Sequence, residues 1–412
     1  MRAELLSVGT ELLLGQITDT NATYLARLLA AYGVDLLFKQ TVGDNLERVK
    51  DAVHLALSRA DLVITTGGLG PTEDDLTVEA VAAALGVPLV FDQAVADRIA
   101  GFFVRRQRQA PESIFRQARI PEGSQVVPNR RGTAPGLIVP AGERTIFMFP
   151  GVPHEMEGLV AEGLVPWLAA KAGGDVITSR VLRIAGIGES MVEELVKDLI
   201  HGINPTVAPL AKLGEVQLRI TAKGHPDRVG PMIDEVDAGL RGRLGDAVFG
   251  IDEEQLHEVT ARLLVERQRT LAVAESCTGG MVSARLTDVP GASAFMRAGF
   301  VVYSNDAKVR DLGVAADLIA THGAVSAEVA AAMAEGARRQ AAADVGLAVT
   351  GIAGPSGGTP DKPVGLVYLA ISHDGATRTV EQRFGGEPGR GIIRHLAAQA
   401  AINLVRLTLL RS

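Results

Sequence analysis

The chain has 412 residues, 47% of them hydrophobic and 22% charged, with a formal net charge of −7. That length exceeds what one core comfortably serves and predicts two or three domains, while the composition excludes a disordered chain. The acidic balance, with no long basic stripe interleaved with aromatics, argues against direct nucleic-acid binding; Arg105-Arg106-Gln107-Arg108 reads as a solvated helix face. The single cysteine, Cys277, excludes an internal disulfide framework and a cysteine-based metal cluster. Met1-Arg2-Ala3-Glu4 enters a strand without a signal-peptide layout and no apolar run reaches transmembrane length, so the expected compartment is cytoplasmic, with no membrane partner.

From the N-terminus, Leu5 to Val8, Val34 to Val42 and Leu62 to Thr66 read as strands. Between them lie helices over 20–31, capped by Asn21, and over Glu47 to Ser58. Strand and helix in alternation predict a parallel sheet covered on both faces, with a ligand crevice at the carboxyl ends of its strands. The loops there are polar: Glu11, Asp19 and Asn21 on the first, Asp44 on the second, and Gly67-Gly68-Leu69-Gly70-Pro71-Thr72-Glu73-Asp74-Asp75 on the third. Backbone amides around Gly67, Gly68, Gly70 and Thr72 suit phosphate oxygens. The carboxylates of Asp44, Asp75, Asp19, Glu11 and Asp74 would repel a bare phosphate, so together they suggest a divalent cation between protein and ligand. The pattern is neither a dinucleotide fingerprint nor a P-loop. Phe102 to Arg119 reads as helix broken by Pro111, and Ile146 to Phe149 as a strand whose following turn brings His154 and Glu155 toward the crevice.

A linker, Lys171-Ala172-Gly173-Gly174-Asp175, separates this block (1–170) from a small α+β unit (171–253). The unit holds a strand over Val176 to Ile184, helices over Glu189 to Ile200 and Pro226 to Leu244, and an alternating strand over Val216 to Ile220 with one wet face. Its loop Gly186-Ile187-Gly188-Glu189 has the outline of a backbone clamp but lacks basic neighbours in sequence, and the unit reads as a scaffold.

The last block (254–412) starts with a helix over Glu254 to Arg267. The strand Leu271 to Ala274 then delivers Glu275-Ser276-Cys277-Thr278-Gly279-Gly280 before a helix over Met281 to Thr287. A strand over Gly299 to Tyr303 opens into Ser304-Asn305-Asp306-Ala307-Lys308. The strand Val345 to Val349 ends in a loop containing Gly354, Gly357 and Gly358. If 275–278 is extended, one of Ser276 and Cys277 faces the crevice and the other the core; the residues alone leave both open as nucleophile. Lys308 with a lowered pKa, or His322, would serve as base, and Tyr303 could orient the proton. The amides of Thr278, Gly279 and Gly280 could form an anion hole, and Lys362, Arg390 and Arg394 could charge a phosphate site on the glycine loop.

Gly9-Thr10-Glu11-Leu12-Leu13-Leu14-Gly15-Gln16, Asp19-Thr20-Asn21 and the Thr65 to Thr77 stretch resemble the molybdopterin-binding type of domain, in the version that opens proteins of the CinA family. Ala274 to Gly280, Tyr303 to Lys308, His322 to Ser326 and Gly351 to Gly365 resemble the CinA C-terminal domain, which also occurs alone as nicotinamide-nucleotide amidohydrolase. The resemblance implies an α/β/α N-terminal domain, a small α+β middle domain and an α/β/α C-terminal domain. It implies Ser276 as nucleophile, Lys308 as its base and Tyr303 as helper in deamidating nicotinamide mononucleotide, with no cofactor at that site. For the N-terminal site it implies ADP-ribose hydrolysis with Mg, Mn or Co at the aspartates. A homodimer with small-molecule nucleotide substrates is expected. One departure from the family pattern is Phe384-Gly385-Gly386-Glu387-Pro388-Gly389-Arg390, which is longer and lacks an aspartate. The other readings are a non-enzymatic competence or recombination accessory and a molybdopterin-binding enzyme.

Overall fold

A computed structural model describes residues 1–171 and 173–411. Ala172, in the expected linker, lies outside the described residues. The chain divides into two compact units, residues 1–178 with 222–232, and residues 179–221 with 233–412.

The first unit is built on a six-stranded sheet in the order Asp35–Val42, Arg2–Val8, Leu62–Thr66, Arg144–Phe149, Gly136–Ala141, Gln125–Val127. The first four strands are parallel and the last two run antiparallel to their neighbours. Leu62–Thr66 is buried along its whole length, as a central strand covered on both faces must be. One face packs Val49, Val53, Ala56 and Val81; the other packs Leu25, Leu29, Phe147, Phe149 and Leu164. Helices Thr20–Ala31 and Leu46–Arg59 match the apolar spacing. The cap of the first is Asp19, whose carboxylate accepts from the Ala22 amide, rather than Asn21. Asn21 is buried and donates to the Gly151 carbonyl, so it pins the loop after a neighbouring strand.

In the second unit a four-stranded sheet runs Thr206–Lys212, Glu215–Gly224, Val176–Ile184, Val248–Ile251. The alternation of Val216 to Ile220 does not give one wet face. Gln217 is buried because it donates to Glu215, whose two carboxylate oxygens both accept from Arg183 Nη2, at 2.7 and 2.9 Å. A five-stranded sheet follows, in the order Met296–Val301, Leu271–Glu275, Val345–Gly351, Leu366–His373, Ala376–Arg383. Its first three strands are parallel and the last two form an antiparallel edge. The long helix Arg390–Arg411 covers one face through Ile393, Ala397, Ile402 and Val405, while Ala327–Gln340 covers the other through Val329, Met333 and Ala337. The helix expected from Glu254 begins at Leu256: Gln255 caps it in a reciprocal box with Glu258, leaving Glu254 to bind the Ile251 amide and Arg262. No described helix is long and apolar enough to cross a membrane.

Candidate functional site

The carboxyl end of the first sheet opens into a cavity of about 560 Å³ lined by Glu11, Asp19, Asp44, Asp74, Asp75 and the Gly67–Gly70 turn. Gly67 and Gly68 have φ of 95° and 67°, a region L side chains rarely adopt, and a Cβ on Gly68 would lie 2.1 Å from Thr77 Oγ1. The turn leaves the successive amides of Gly68, Leu69 and Gly70 without a partner among the described residues, a concave run of donors suited to phosphate oxygens. Glu155 also lines the cavity and accepts from Asn129, whereas His154 turns to Arg131. Thr72 is a step removed: its amide and hydroxyl both donate to Asp75 Oδ2, at 2.9 and 2.6 Å.

The acidic residues gather around this cavity but are largely committed to the protein. Asp44 Oδ2 accepts from the Thr10 amide and hydroxyl. Burial pushes the Asp19 carboxyl up, but the Ala22 amide, Lys39 at 2.9 Å and the Ser7 hydroxyl outweigh it and hold it below the ordinary value. Among the described residues no group of three or more His, Cys, Asp or Glu side chains could hold a metal ion.

In the second unit, three strand-end loops meet. Ser276 follows the fully buried strand Leu271–Glu275 and is 9% exposed. Lys308 lies on the helix Asn305–Leu312, capped by Ser304, and is 1% exposed. Its Nζ stands 3.2 Å from Ser276 Oγ and donates to the Val302 carbonyl at 2.9 Å. Burial lowers the Lys308 pKa, since an ammonium loses hydration there without a carboxylate to replace it. A neutral amine in that position can accept the serine proton.

Cys277 points the other way, 6% exposed in the apolar core, and burial pushes its thiol up to about 11. It packs in the core, and Ser276 is the side chain beside Lys308. The His322 ring lies 3.5 Å from a Glu328 carboxylate oxygen, whereas the side-chain contact of Ser276 is with Lys308.

Several supporting roles differ from expectation. The strand Met296–Val301 stops before Tyr303, whose ring is on the surface. Its hydroxyl accepts from Arg390 at 3.1 Å, and only its backbone carbonyl reaches Lys308. The anion hole of Thr278, Gly279 and Gly280 is mostly filled, because Gly279 N donates to the Ser276 carbonyl and Gly280 N to Glu275. Glu275, fully buried, also accepts from the Val282 and Ser283 amides and the Ser283 hydroxyl. It thus caps the helix Met281–Thr287 from within, a role that its place at the end of an apolar strand hides. Arg394 donates to the Cys277 and Thr278 carbonyls, and Arg390 to the Gly354 carbonyl. These arginines tie the loops to one another before any ligand arrives. Gly357 and Gly358 remain exposed on the third loop, while Lys362 is spent on the His322 and Val325 carbonyls.

Family models match three successive stretches of the chain: a “Probable molybdopterin binding domain” over residues 4–170, a “Damage-inducible protein CinA KH domain” over 179–250, and the “CinA C-terminal domain” over 253–409. The chain is 47% identical over 411 residues to a “Putative competence-damage inducible protein” of Thermoanaerobacter pseudethanolicus, covering 100% of this chain and 99% of that one. A protein of the same name from Moorella thermoacetica is 47% identical over 407 residues, covering 98% of each chain. A “CinA-like protein” of Dictyoglomus thermophilum is 47% identical over 412 residues, 100% of both chains.

These findings correct the expectation of a two-activity pyridine-nucleotide salvage enzyme. The relatives matched from end to end are named for competence and damage induction, not as an amidase, deamidase or pyrophosphatase. Nor is the metal-dependent half supported by a ligand cluster among the described residues, where Asp44, Asp75 and Asp19 already accept from amides, hydroxyls and Lys39. With likeness running the whole length of the chain, it belongs to the CinA family.

Proposed function

We propose that this protein is an accessory of the competence or DNA-damage response that works by ligand recognition, taking a phosphorylated small molecule in its N-terminal crevice. The single observation that carries the ligand is the run of unpartnered amides at Gly68, Leu69 and Gly70, residues that line a cavity of about 560 Å³. Its match to a molybdopterin-binding domain makes a pterin or nucleotide phosphate the natural chemistry. A divalent cation, where bound, would be held by Asp44 and Asp75, whose Oδ1 atoms are not spent internally, and would offset the charge of that phosphate. The cellular role comes from the relatives' names. Its test is deletion of the gene in the host, scoring transformation frequency and survival of DNA damage. Loss of either, restored by the wild-type chain and not by Gly68→Ala, supports the reading; a deletion strain unchanged in both overturns it.

The Ser276–Lys308 contact of 3.2 Å favours a second reading, in which Ser276 is a reactive hydroxyl that anchors a ligand of the C-terminal unit. A serine-directed fluorophosphonate should label Ser276 in the wild-type chain and leave Lys308→Met unlabelled. Equal labelling of both would remove Lys308 from the role of base.

A further inference from the structure

A cavity of about 660 Å³ lies within the second unit, away from both sites above, between the four-stranded sheet and the face formed by Leu366–His373, Ala376–Arg383 and the long helix Arg390–Arg411. Its volume is that of a small-molecule site. We propose that it binds a nucleoside monophosphate.

One wall is apolar, with Val216, Leu369, Val380, Phe384 and Leu404 offering a surface for a flat ring. On the long helix, Gln399 and Asn403 line the cavity one turn apart and are only 6% and 5% exposed. Their carbonyl oxygens are already taken, Gln399 Oε1 by Arg285 at 2.6 Å and Asn403 Oδ1 by Arg406 at 2.9 Å. That pins both amides in one orientation and leaves their NH2 groups without a partner among the described residues. Neither amide nitrogen is among the fully buried unpartnered atoms, so both keep access to the cavity, where a base carbonyl edge would accept from them.

The cavity also receives the loop Gly186-Ile187-Gly188-Glu189, where the helix Glu189–Ile200 begins at Gly188 without a side-chain cap. In sequence this loop has no basic company. The fold supplies it: Lys212 and Arg378, from distant strands, both line the cavity and form no ion pair among the described residues. Of the acidic lining residues, Glu215 is neutralised by Arg183, which leaves Glu189 against those cations. Free helix-start amides and the cations favour a phosphate, while Glu189 tempers the charge toward a single phosphate group.

The test uses the full-length protein, titrated with GMP while acylation of Lys212 by an amine-reactive reagent is followed by peptide mass spectrometry. Saturable protection of Lys212 is expected. Binding should weaken at least tenfold in Arg378→Ala and be lost in Ala211→Trp, a substitution at an exposed position on the cavity rim that fills the space from outside. Lys212 that stays unprotected at millimolar GMP overturns the proposal, as does protection that is undiminished in Ala211→Trp.

Discussion

Replacing Glu275 by Ala should damage the second unit more than loss of any exposed ion pair. Glu275 is fully buried and accepts from Gly280 N at 2.9 Å, Val282 N at 3.1 Å, Ser283 N at 2.9 Å and Ser283 Oγ at 2.7 Å. A hydrogen bond to a charged acceptor contributes about 1.5–3 kcal/mol, and such bonds within one network do not sum. Alanine strands three amides at the start of Met281–Thr287, and exposed caps of this kind are worth only about 1 kcal/mol. Burial raises that to about 3–5 kcal/mol, because several donors lose a charged acceptor where water cannot replace it. At about 2–4 °C per kcal/mol for a unit of this size, the melting transition should fall by roughly 10 °C. Thermal denaturation followed by circular dichroism, with urea titration as a check, measures it. Glu275→Gln, which keeps one acceptor oxygen, should cost about half as much. A loss under about 1 kcal/mol in Glu275→Ala would refute the claim that this carboxylate organises the Ser276 turn.

Lys308 gives a pH prediction. Its folded-state pKa lies below the ordinary 10.5, so labelling of Ser276 should rise with pH and level off before an exposed lysine titrates; Lys308→Met should abolish that rise. The unfolded chain holds this proton more tightly, so the same shift makes stability increase as pH climbs from the lowered value toward 10.5. A labelling profile with its midpoint at 10.5 or above would contradict the burial argument. Cys277, held as a thiol by burial, should react with a disulfide reagent only on unfolding, and Cys277→Ala should leave Ser276 labelling unchanged. Rapid modification of the native chain would show instead that the thiol faces the crevice.

Much of this was legible in the residues. The period of Leu25, Leu28 and Leu29 gives the helix Thr20–Ala31, and β-branched runs ending in glycine mark the strand ends that carry both crevices. Lys308 is a candidate partner for Ser276 in the sequence, and the fold brings the two within 3.2 Å. Other features depend on direction, which periodicity does not encode. Asp19 rather than Asn21 caps its helix because the helix begins two positions earlier, freeing Asn21 to hold Gly151. The short strands Gln125–Val127 and Gly136–Ala141 are fixed by pairing with a distant neighbour. Gln217 looks like a wet-face residue until Arg183 and Glu215 are placed beside it. The cavity of Gln399 and Asn403 is assembled from segments about two hundred positions apart, and local sequence holds no trace of it.

The central claim is that the N-terminal crevice recognises a phosphorylated ligand without consuming it. The most direct measurement is calorimetric titration of the purified chain with molybdopterin and with nucleotides, with and without a divalent cation, followed by chromatography of the recovered ligand. Saturable binding, weakened at least tenfold by Gly68→Ala, with the ligand returned intact, is the expected result. No binding at millimolar ligand, or a ligand returned as products, would contradict the account.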